Sequence, residues 1–322
     1  MSIKKAVDCI KNNKRFLITS HLRLEGDALG SELAFYSLLK ALGKDAVIVN
    51  DDDSPGEYAF LPGVERIRKF SDNLKDVDFD VFAILDCSDL KRCGRVYKMN
   101  KDNKPILNID HHISNEKFAD VNWVEPCASS CAEVIYKLFK KLRLPFNHDT
   151  AMALYVGMLT DTGVFHYANT SSLTHKAVSE LLKYDLDICE VYKNLYENKP
   201  FADMKLLSKI LTRIKRDNSG RIAWFQLKQA DVRGTDISFD LSERLLSFAR
   251  AIKDIEVAVL FREASGKKSE VRVNLRSQGK IDVNRIANFF GGGGHKNASG
   301  CTVKGKINQV RKKVLAKIKE GL

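Results

Sequence analysis

Four short segments of this chain combine carboxylates and imidazoles in a way that can do chemistry. They are His21-Leu22-Arg23-Leu24-Glu25-Gly26-Asp27, Asp86-Cys87-Ser88-Asp89, Asp110-His111-His112 and Gly157-Met158-Leu159-Thr160-Asp161-Thr162-Gly163. Taken singly, each Asp reads as a helix cap or turn residue and each His as an ordinary surface or core residue. Taken together they read differently, because clustered carboxylates repel one another unless cations neutralise them. Imidazole and carboxylate ligands suit Mn²⁺, Fe²⁺, Co²⁺ or Zn²⁺, and the lack of cysteine ligation argues against a structural zinc site. Four such segments can supply two divalent ions that share a bridging carboxylate about 3.5–4 Å apart, an arrangement that activates water and neutralises phosphoryl oxygens.

A second feature lies near the end of the chain, where Gly291-Gly292-Gly293-Gly294 runs into His295-Lys296-Asn297-Ala298-Ser299-Gly300. Glycine lets backbone N–H groups approach an anion closely, and His295 and Lys296 add donors and charge. The last third is also where the basicity sits. Residues 217–322 hold 21 Lys and Arg against 11 Asp and Glu, which is +10 of the net +12 and favours a nucleotide or nucleic-acid partner weakly. Within it, Arg311-Lys312-Lys313 and the lysines after it alternate with apolar residues, as the solvated face of an amphipathic helix does. Phe289 and Phe290 suit either a core or a base-stacking platform, and Ser129-Ser130-x-x-Glu133 has capping-box spacing with Ser130 as N-cap.

These residues must be positioned by regular elements. Arg15 to Ser20, Ala46 to Asn50, Val81 to Leu85 and Pro105 to Ile109 read as strands, with a helix over 28–42 after the first. This is the grammar of an open, mainly parallel, doubly wound α/β sheet, in which functional side chains collect just beyond the carboxyl ends of strands. Helices are expected over 130–143, 149–159, 172–183 and 202–215. A strand at 221–227, a helix at 239–252, strands at 255–262 and 270–276, a helix at 282–289, the glycine loop, a strand and a basic helix then complete a smaller α/β unit. With 322 residues, two domains are expected: 1–185, a helical linker 186–216, and 217–322. The balance of 44% hydrophobic and 29% charged residues excludes extended disorder. No apolar run approaches the roughly 20 residues that span a bilayer, and the N-terminus lacks a signal-peptide core, so a cytoplasmic protein without membrane contact is expected. Seven cysteines without a C-x-x-C pair fit reduced thiols.

The segment Asn108-Ile109-Asp110-His111-His112-Ile113-Ser114-Asn115 resembles the signature of the DHH phosphoesterases. His21-x-x-x-Glu25-x-Asp27, Asp86 and Thr160-Asp161-Thr162-Gly163 match that family's other motifs in order, and Gly291 to Gly300 resembles its DHHA1 domain. The likeness covers nearly the whole chain and points to the oligoribonuclease and pAp-phosphatase branch. It implies one ion held by His21, Glu25 and Asp86 and another by Asp27, Asp86, His111 and Asp161, with Asp86 as the bridge. It further implies His112 facing the scissile phosphate and Asp110 orienting an imidazole. Arg276 with Ser277 would meet the non-scissile phosphate, and Gly292, Gly293, Gly294, His295 and Lys296 would bind the rest of the substrate. Mn²⁺ is the expected metal, with Mg²⁺ or Co²⁺ as alternates. The expected substrates are short single-stranded RNA and 3′-phosphoadenosine 5′-phosphate (pAp), and the expected assemblies include a homodimer. The rival readings are a phosphodiesterase acting on pApA or cyclic dinucleotides, and a nucleotide-binding regulator with impaired hydrolysis. Two positions depart from the family pattern: Glu25 stands in place of Asp, and His166 stands where relatives often have Arg.

Overall fold

Val81-Phe82-Ala83-Ile84-Leu85 has no polar position, so as a strand it needs cover on both faces. It is β4 at the centre of a six-stranded sheet, and all five of its residues are buried. The computed structural model describes residues 3–71, 74, 77–232, 239–264 and 269–321. It divides into two units, Met1–Asn198 and Lys199–Leu322. In the first, α1 (Ile3–Asn12), β1 (Arg15–Thr19), α2 (Gly26–Ala41), β2 (Asp45–Asn50), β3 (Ile67–Lys69), β4 (Val81–Leu85), β5 (Ile106–Asp110) and β6 (Val121–Val124) are followed by α3 (Cys131–Leu142), α4 (His148–Asp161), α5 (Ser172–Leu181) and the short α6 (Ile188–Tyr192). The sheet order is β3-β2-β1-β4-β5-β6 with every pairing parallel. Side chains alternate between two cores. Phe16, Ile18, Ala83 and Leu85 face the helices, whereas Leu17, Phe82 and Ile84 face a core closed by the 3₁₀ segment Leu90–Met99. β3 and β6 escaped the sequence reading because they are short edge strands, and the Ile67-Arg68-Lys69 run is only partly covered.

The second unit holds α7 (Phe201–Leu211), β7 (Lys215–Arg216), β8 (Ile222–Leu227), α8 (Phe239–Arg250), β9 (Val257–Glu263), β10 (Glu270–Ser277), α9 (Val283–Phe289), β11 (Gly293–Gly294), β12 (Ala298–Lys304) and α10 (Ile307–Lys319). Its sheet runs β11-β12-β10-β9-β8-β7, antiparallel except between β8 and β9. Helices α9 and α10 cover one face, while α7 and α8 cover the other. Two expectations are corrected here. The helix expected over 202–215 stops at Leu211, and Lys215–Arg216 pairs with β8; the glycine run is not all loop, since Gly293 and Gly294 pair with Gly300 and Ser299. Among the described residues no helix is long and apolar enough to cross a membrane.

The helix pair α2 and α4 positions the site. Both are buried almost all round, including Gly26 to Phe35 in α2 and Thr150 to Leu159 in α4. They approach closely because three glycines leave room. A Cβ on Gly30 would lie 2.3 Å from the Ala153 carbonyl oxygen, one on Gly26 2.5 Å from Thr160 Oγ1, and one on Gly157 2.5 Å from Ala132 Cβ and 3.0 Å from Asp27 Oδ1. Replacing Gly30 by Ala would gain about 0.5–1 kcal/mol of helix propensity. The clash is with backbone, however, and overpacking costs about 1–3 kcal/mol. Gly30→Ala should therefore destabilise the first unit in urea titration; an unchanged or raised midpoint would show that the two helices can part at no cost.

Candidate active site and metal centre

Strands β1 and β4 are neighbours at the point where the sheet order reverses, so the loops beyond their carboxyl ends diverge and leave a crevice. Buried side chains pin those ends. Asn50, closing β2, accepts from the Ser20 N–H (3.0 Å) and the Thr19 hydroxyl (3.1 Å), and donates to Glu32 Oε2 (2.8 Å). The Ser20 hydroxyl donates to the Leu85 carbonyl at 2.8 Å. His21 and Asp86 are the residues that follow Ser20 and Leu85. Asp86 sits in the left-handed region (φ 51°), a conformation that a non-glycine residue adopts only when its surroundings hold it there. Burial pushes the Glu32 carboxyl up to about 8, against the opposing pull of the Asn50 amide.

The predicted residues of this unit converge. His21 Nε2 lies 3.3 Å from Asp86 Oδ2 and 3.7 Å from Glu25 Oε1. His111 Nε2 lies 3.5 Å from Asp86 Oδ1, 3.6 Å from Asp161 Oδ2 and 3.8 Å from Asp27 Oδ2. His112 Nδ1 is 3.5 Å from Asp86 Oδ1 and 2.7 Å from Asp110 Oδ1. Three groups result: His21–Glu25–Asp86, Asp27–His111–Asp161 and Asp86–His111–His112, each with its ligand atoms within 4.8 Å of one another. Asp86 belongs to two of them. Glu25, the residue before α2, is the exposed member, its side chain 51% accessible against 3% for Asp86.

Whether these residues fit metal ions can be tested on their hydrogen bonds. His21 Nδ1 faces the Leu22 carbonyl at 2.8 Å and His111 Nδ1 the Ala128 carbonyl at 3.4 Å. A carbonyl only accepts, so each Nδ1 carries the proton and, in the neutral ring, each Nε2 turns a lone pair toward carboxylates. Lone pairs facing carboxylates repel unless a cation lies between them. Consistent with that, His21 Nε2 and Asp86 Oδ1 are buried without a hydrogen-bond partner among the described residues, a cost of about 1–3 kcal/mol each if nothing fills the gap. The donor set fits divalent ions.

The electrostatics agree. Burial, reinforced by Asp27, raises the Asp86 carboxyl well above the carboxylate range; burial raises Asp27 too, and Asp161 to about 7. Burial alone would discharge His111, but Asp161, Asp86, Asp27 and Asp110 outweigh it and push the imidazole up to about 9. Asp110 goes the other way. Burial would raise it, yet hydrogen bonding to His112 and Asn115 holds it far below the usual range, and its Oδ1 also accepts the His111 N–H at 2.8 Å.

Sequence reasoning missed the supports. Asp27 is gripped by the N-terminus of α3, where the Cys131 and Ala132 N–H groups donate to its two oxygens at 2.6 and 2.8 Å. Ser130 caps α3 as expected, accepting the Glu133 N–H at 3.0 Å, but the Glu133 carboxylate bonds Ser129 rather than closing the box on Ser130. Asn50 and Asn115 carried a usable signal, being amides at or just beyond strand carboxyl ends; the backbone donors carried none. His166 is exposed.

The remaining predicted residues gather in the second unit. Arg276 pairs with Ala298 in the β10–β12 ladder, Ser277 N–H donates to the Asn297 carbonyl (2.9 Å) and Val283 N–H to that of Lys296 (2.9 Å), which sets 276–277 beside the turn 295–298. Gly292 has no room for a side chain: a Cβ would meet the Gly300 oxygen at 2.2 Å. Gly294 holds φ 140° against Ala298. His295 and Lys296 are exposed, whereas Ser277 is buried and its hydroxyl accepts the Gly279 N–H. The Arg276 guanidinium is engaged by Glu243 through two bonds, of 2.9 and 2.6 Å, so it is a neutralised cation rather than an open one.

The acid cluster makes metal-free stability depend on pH. A carboxyl raised above its unfolded value, like Asp161, and an imidazole raised above its own, like His111, both keep protons in the folded state that the unfolded chain has released. Both contributions are therefore lost as pH rises, from about 4 through 7 for Asp161 and from about 6.5 through 9 for His111. In EDTA the melting temperature should fall between about pH 6 and 9, and Asp161→Asn should flatten the slope by removing the largest charge acting on His111. A slope unaffected by that substitution would mean the cluster is not under electrostatic stress.

Comparison with known proteins places the chain in a family. Residues 15–158 match the model of the DHH family N-terminal domain, and residues 225–320 match that of the DHHA1 domain. The chain is 30% identical to the bifunctional oligoribonuclease and PAP phosphatase NrnA of Thermus thermophilus, over 95% of this chain and 89% of the relative. It is 27% identical to the protein of that description from Bacillus subtilis, over 89% and 88%. The solved structure of an exopolyphosphatase-related protein from Bacteroides fragilis superposes with a TM-score of 0.88 at 27% identity, covering 98% of this chain and 95% of that one. With the carboxylate–histidine cluster in the first unit and the glycine hairpin in the second, the chain belongs to the DHH phosphoesterases, a metal-dependent family of hydrolases, and carries the DHHA1 domain.

Proposed function

We propose that this chain is a cytoplasmic two-metal phosphoesterase that hydrolyses short oligoribonucleotides to mononucleotides and pAp to AMP and phosphate. The observation that carries the reading is the pair of ligand groups meeting at Asp86, with His21 Nε2 and Asp86 Oδ1 buried and, among the described residues, unpartnered. The names of the relatives supply the substrate class.

In this reading His21, Glu25 and Asp86 hold one ion, and Asp27, Asp86, His111 and Asp161 the other. Mn²⁺ is preferred because mixed imidazole and carboxylate donors suit it better than Mg²⁺, which dehydrates reluctantly. When bound, the ions supply Lewis acidity, activating water and neutralising phosphoryl charge. The protein does the rest. Asp110, kept ionised by its partners, fixes the His112 ring through Nδ1, so that Nε2 is the atom that would meet a phosphoryl oxygen. The N-terminus of α3 orients Asp27. Ordered carboxylates hold the reacting groups at fixed distances, which is a positional contribution to rate. In the second unit, His295, Lys296 and the N–H groups of the glycine hairpin would take the phosphate that is not cleaved. Arg276 would act there only together with Glu243, as an orienting pair.

The deciding experiment is a turnover screen with Mn²⁺ over pAp, RNAs of two to five and of twenty nucleotides, pApA, cyclic di-AMP and pyrophosphate. Fast release of AMP from pAp and of mononucleotides from the short RNAs is expected, with activity abolished in EDTA. Preference for pApA would select the dinucleotide rival, and binding without turnover the impaired regulator. Asp86→Asn should reduce kcat by at least 1000-fold, and Glu25→Ala by less, since position 25 serves one ion and Asp86 both. His295→Ala removes charge-assisted bonds of about 1.5–3 kcal/mol, so kcat/KM should fall about 10- to 100-fold for pAp and dinucleotides. It should hardly change for bis-p-nitrophenyl phosphate, which carries no second phosphate. Equal losses on both substrates would place His295 in support of the fold rather than in contact with the substrate.

A further inference from the structure

Asn169 lies in the loop between α4 and α5, exposed to solvent, yet both hydrogens of its amide are committed. Nδ2 donates to the Ser129 carbonyl at 2.8 Å and to the Asp161 carbonyl at 3.1 Å. Two carbonyl acceptors can be satisfied only by the NH₂ end, so the orientation of this amide is unambiguous. The two carbonyls belong to the segments that place the two carboxylates of one ligand group. Ser129 precedes the first turn of α3, whose Cys131 and Ala132 N–H groups hold Asp27; Asp161 is the last residue of α4.

We propose that Asn169 is a positioning residue that sets Asp161 relative to Asp27 and thereby tunes the metal affinity of the Asp27–His111–Asp161 group. This rests on the two-metal reading above. The two ends it joins are not equally secure. On the α3 side, Ser129 is fixed independently: its N–H and hydroxyl donate to Glu133 at 3.3 and 2.7 Å, and Glu133 in turn accepts from the Thr174 hydroxyl (2.7 Å) and pairs with Lys137 (3.3 Å). Asp27 is gripped at both oxygens and its side chain is 2% accessible, against 29% for Asp161. Asp161 ends a helix, where carbonyls lack partners from the following turn. The Asn169 amide satisfies one of those carbonyls and ties it to the fixed Ser129 anchor. Loosening that tie leaves Asp27 in place and frees Asp161 to drift from His111 Nε2, from which its Oδ2 now lies 3.6 Å. The His21–Glu25–Asp86 group shares no segment with this staple.

The test is calorimetric titration of Mn²⁺ into metal-free, full-length protein. Wild type should bind two ions. Asn169→Ala should weaken one of them about 10-fold or more and leave the other unchanged, the scale on which groups that orient metal ligands act. Asn169→Asp should be worse, because it turns a carboxylate toward two carbonyl oxygens. Two hydrogen bonds are lost, so the melting temperature of the metal-free protein should fall slightly, and the selective weakening of one ion is what a merely structural role would not produce. Unchanged affinities in Asn169→Ala, or parallel weakening of both sites, would overturn the assignment. If wild type binds no Mn²⁺ at all, it is the two-metal reading that fails.

Discussion

Three carboxylates, Asp27, Asp86 and Asp161, converge on one imidazole, His111, and the rest of the first unit answers their mutual repulsion. Two unit charges 4 Å apart repel by about 4 kcal/mol at an effective dielectric near 20. A charge-assisted hydrogen bond returns only about 1.5–3 kcal/mol. The bonds from α3 to Asp27 therefore ease the repulsion without cancelling it, and a counter-charge must do the remainder. Protonation can supply it, which is why burial and neighbouring acids drive Asp86 and Asp161 upward and His111 is held as a cation. Divalent ions supply it better, because they also satisfy the unpartnered His21 Nε2 and Asp86 Oδ1.

The strand-end residues were legible in the sequence because their chemistry is local. His21, Asp86 and Asp110-His111-His112 each follow a run too apolar to be anything but a buried strand, and the structure brings all of them together. Apart from the strand-end amides Asn50 and Asn115, what supports them was not legible. The α3 donors to Asp27 are backbone groups from residues far along the chain, and no side-chain pattern announces them. Nor does a pattern announce that Asn169 reaches two carbonyls, or that β3 and β6 extend the sheet, since edge strands of three and four residues are too short to show an alternation. The closeness of α2 and α4 was written in Gly26, Gly30 and Gly157, but only the packed pair shows what those glycines avoid.

The second unit shows the opposite case, in which resemblance named residues whose physical state differs from a simple anion contact. Gly292 and Gly294 are required by the hairpin itself, whatever it binds. Arg276 is clamped by Glu243, and Ser277 closes a turn. His295 and Lys296 alone among the residues named there offer exposed side chains with charge or donors. In the proposed reading, recognition at this end of the molecule would rest on two side chains and a rigid backbone more than on an arginine fork.

The distance along the chain between Asp27 and Asp161 has a consequence for biosynthesis. The helix bearing Asp161 emerges from the ribosome after all six strands of the first sheet, and the turn that grips Asp27 comes only shortly before it. All six strands are therefore synthesised while one carboxylate of the cluster is still missing. The full cluster thus arrives late in synthesis, and a polypeptide cut short before α4 would carry the strand sequences but neither Asp161 nor the helix that packs on α2.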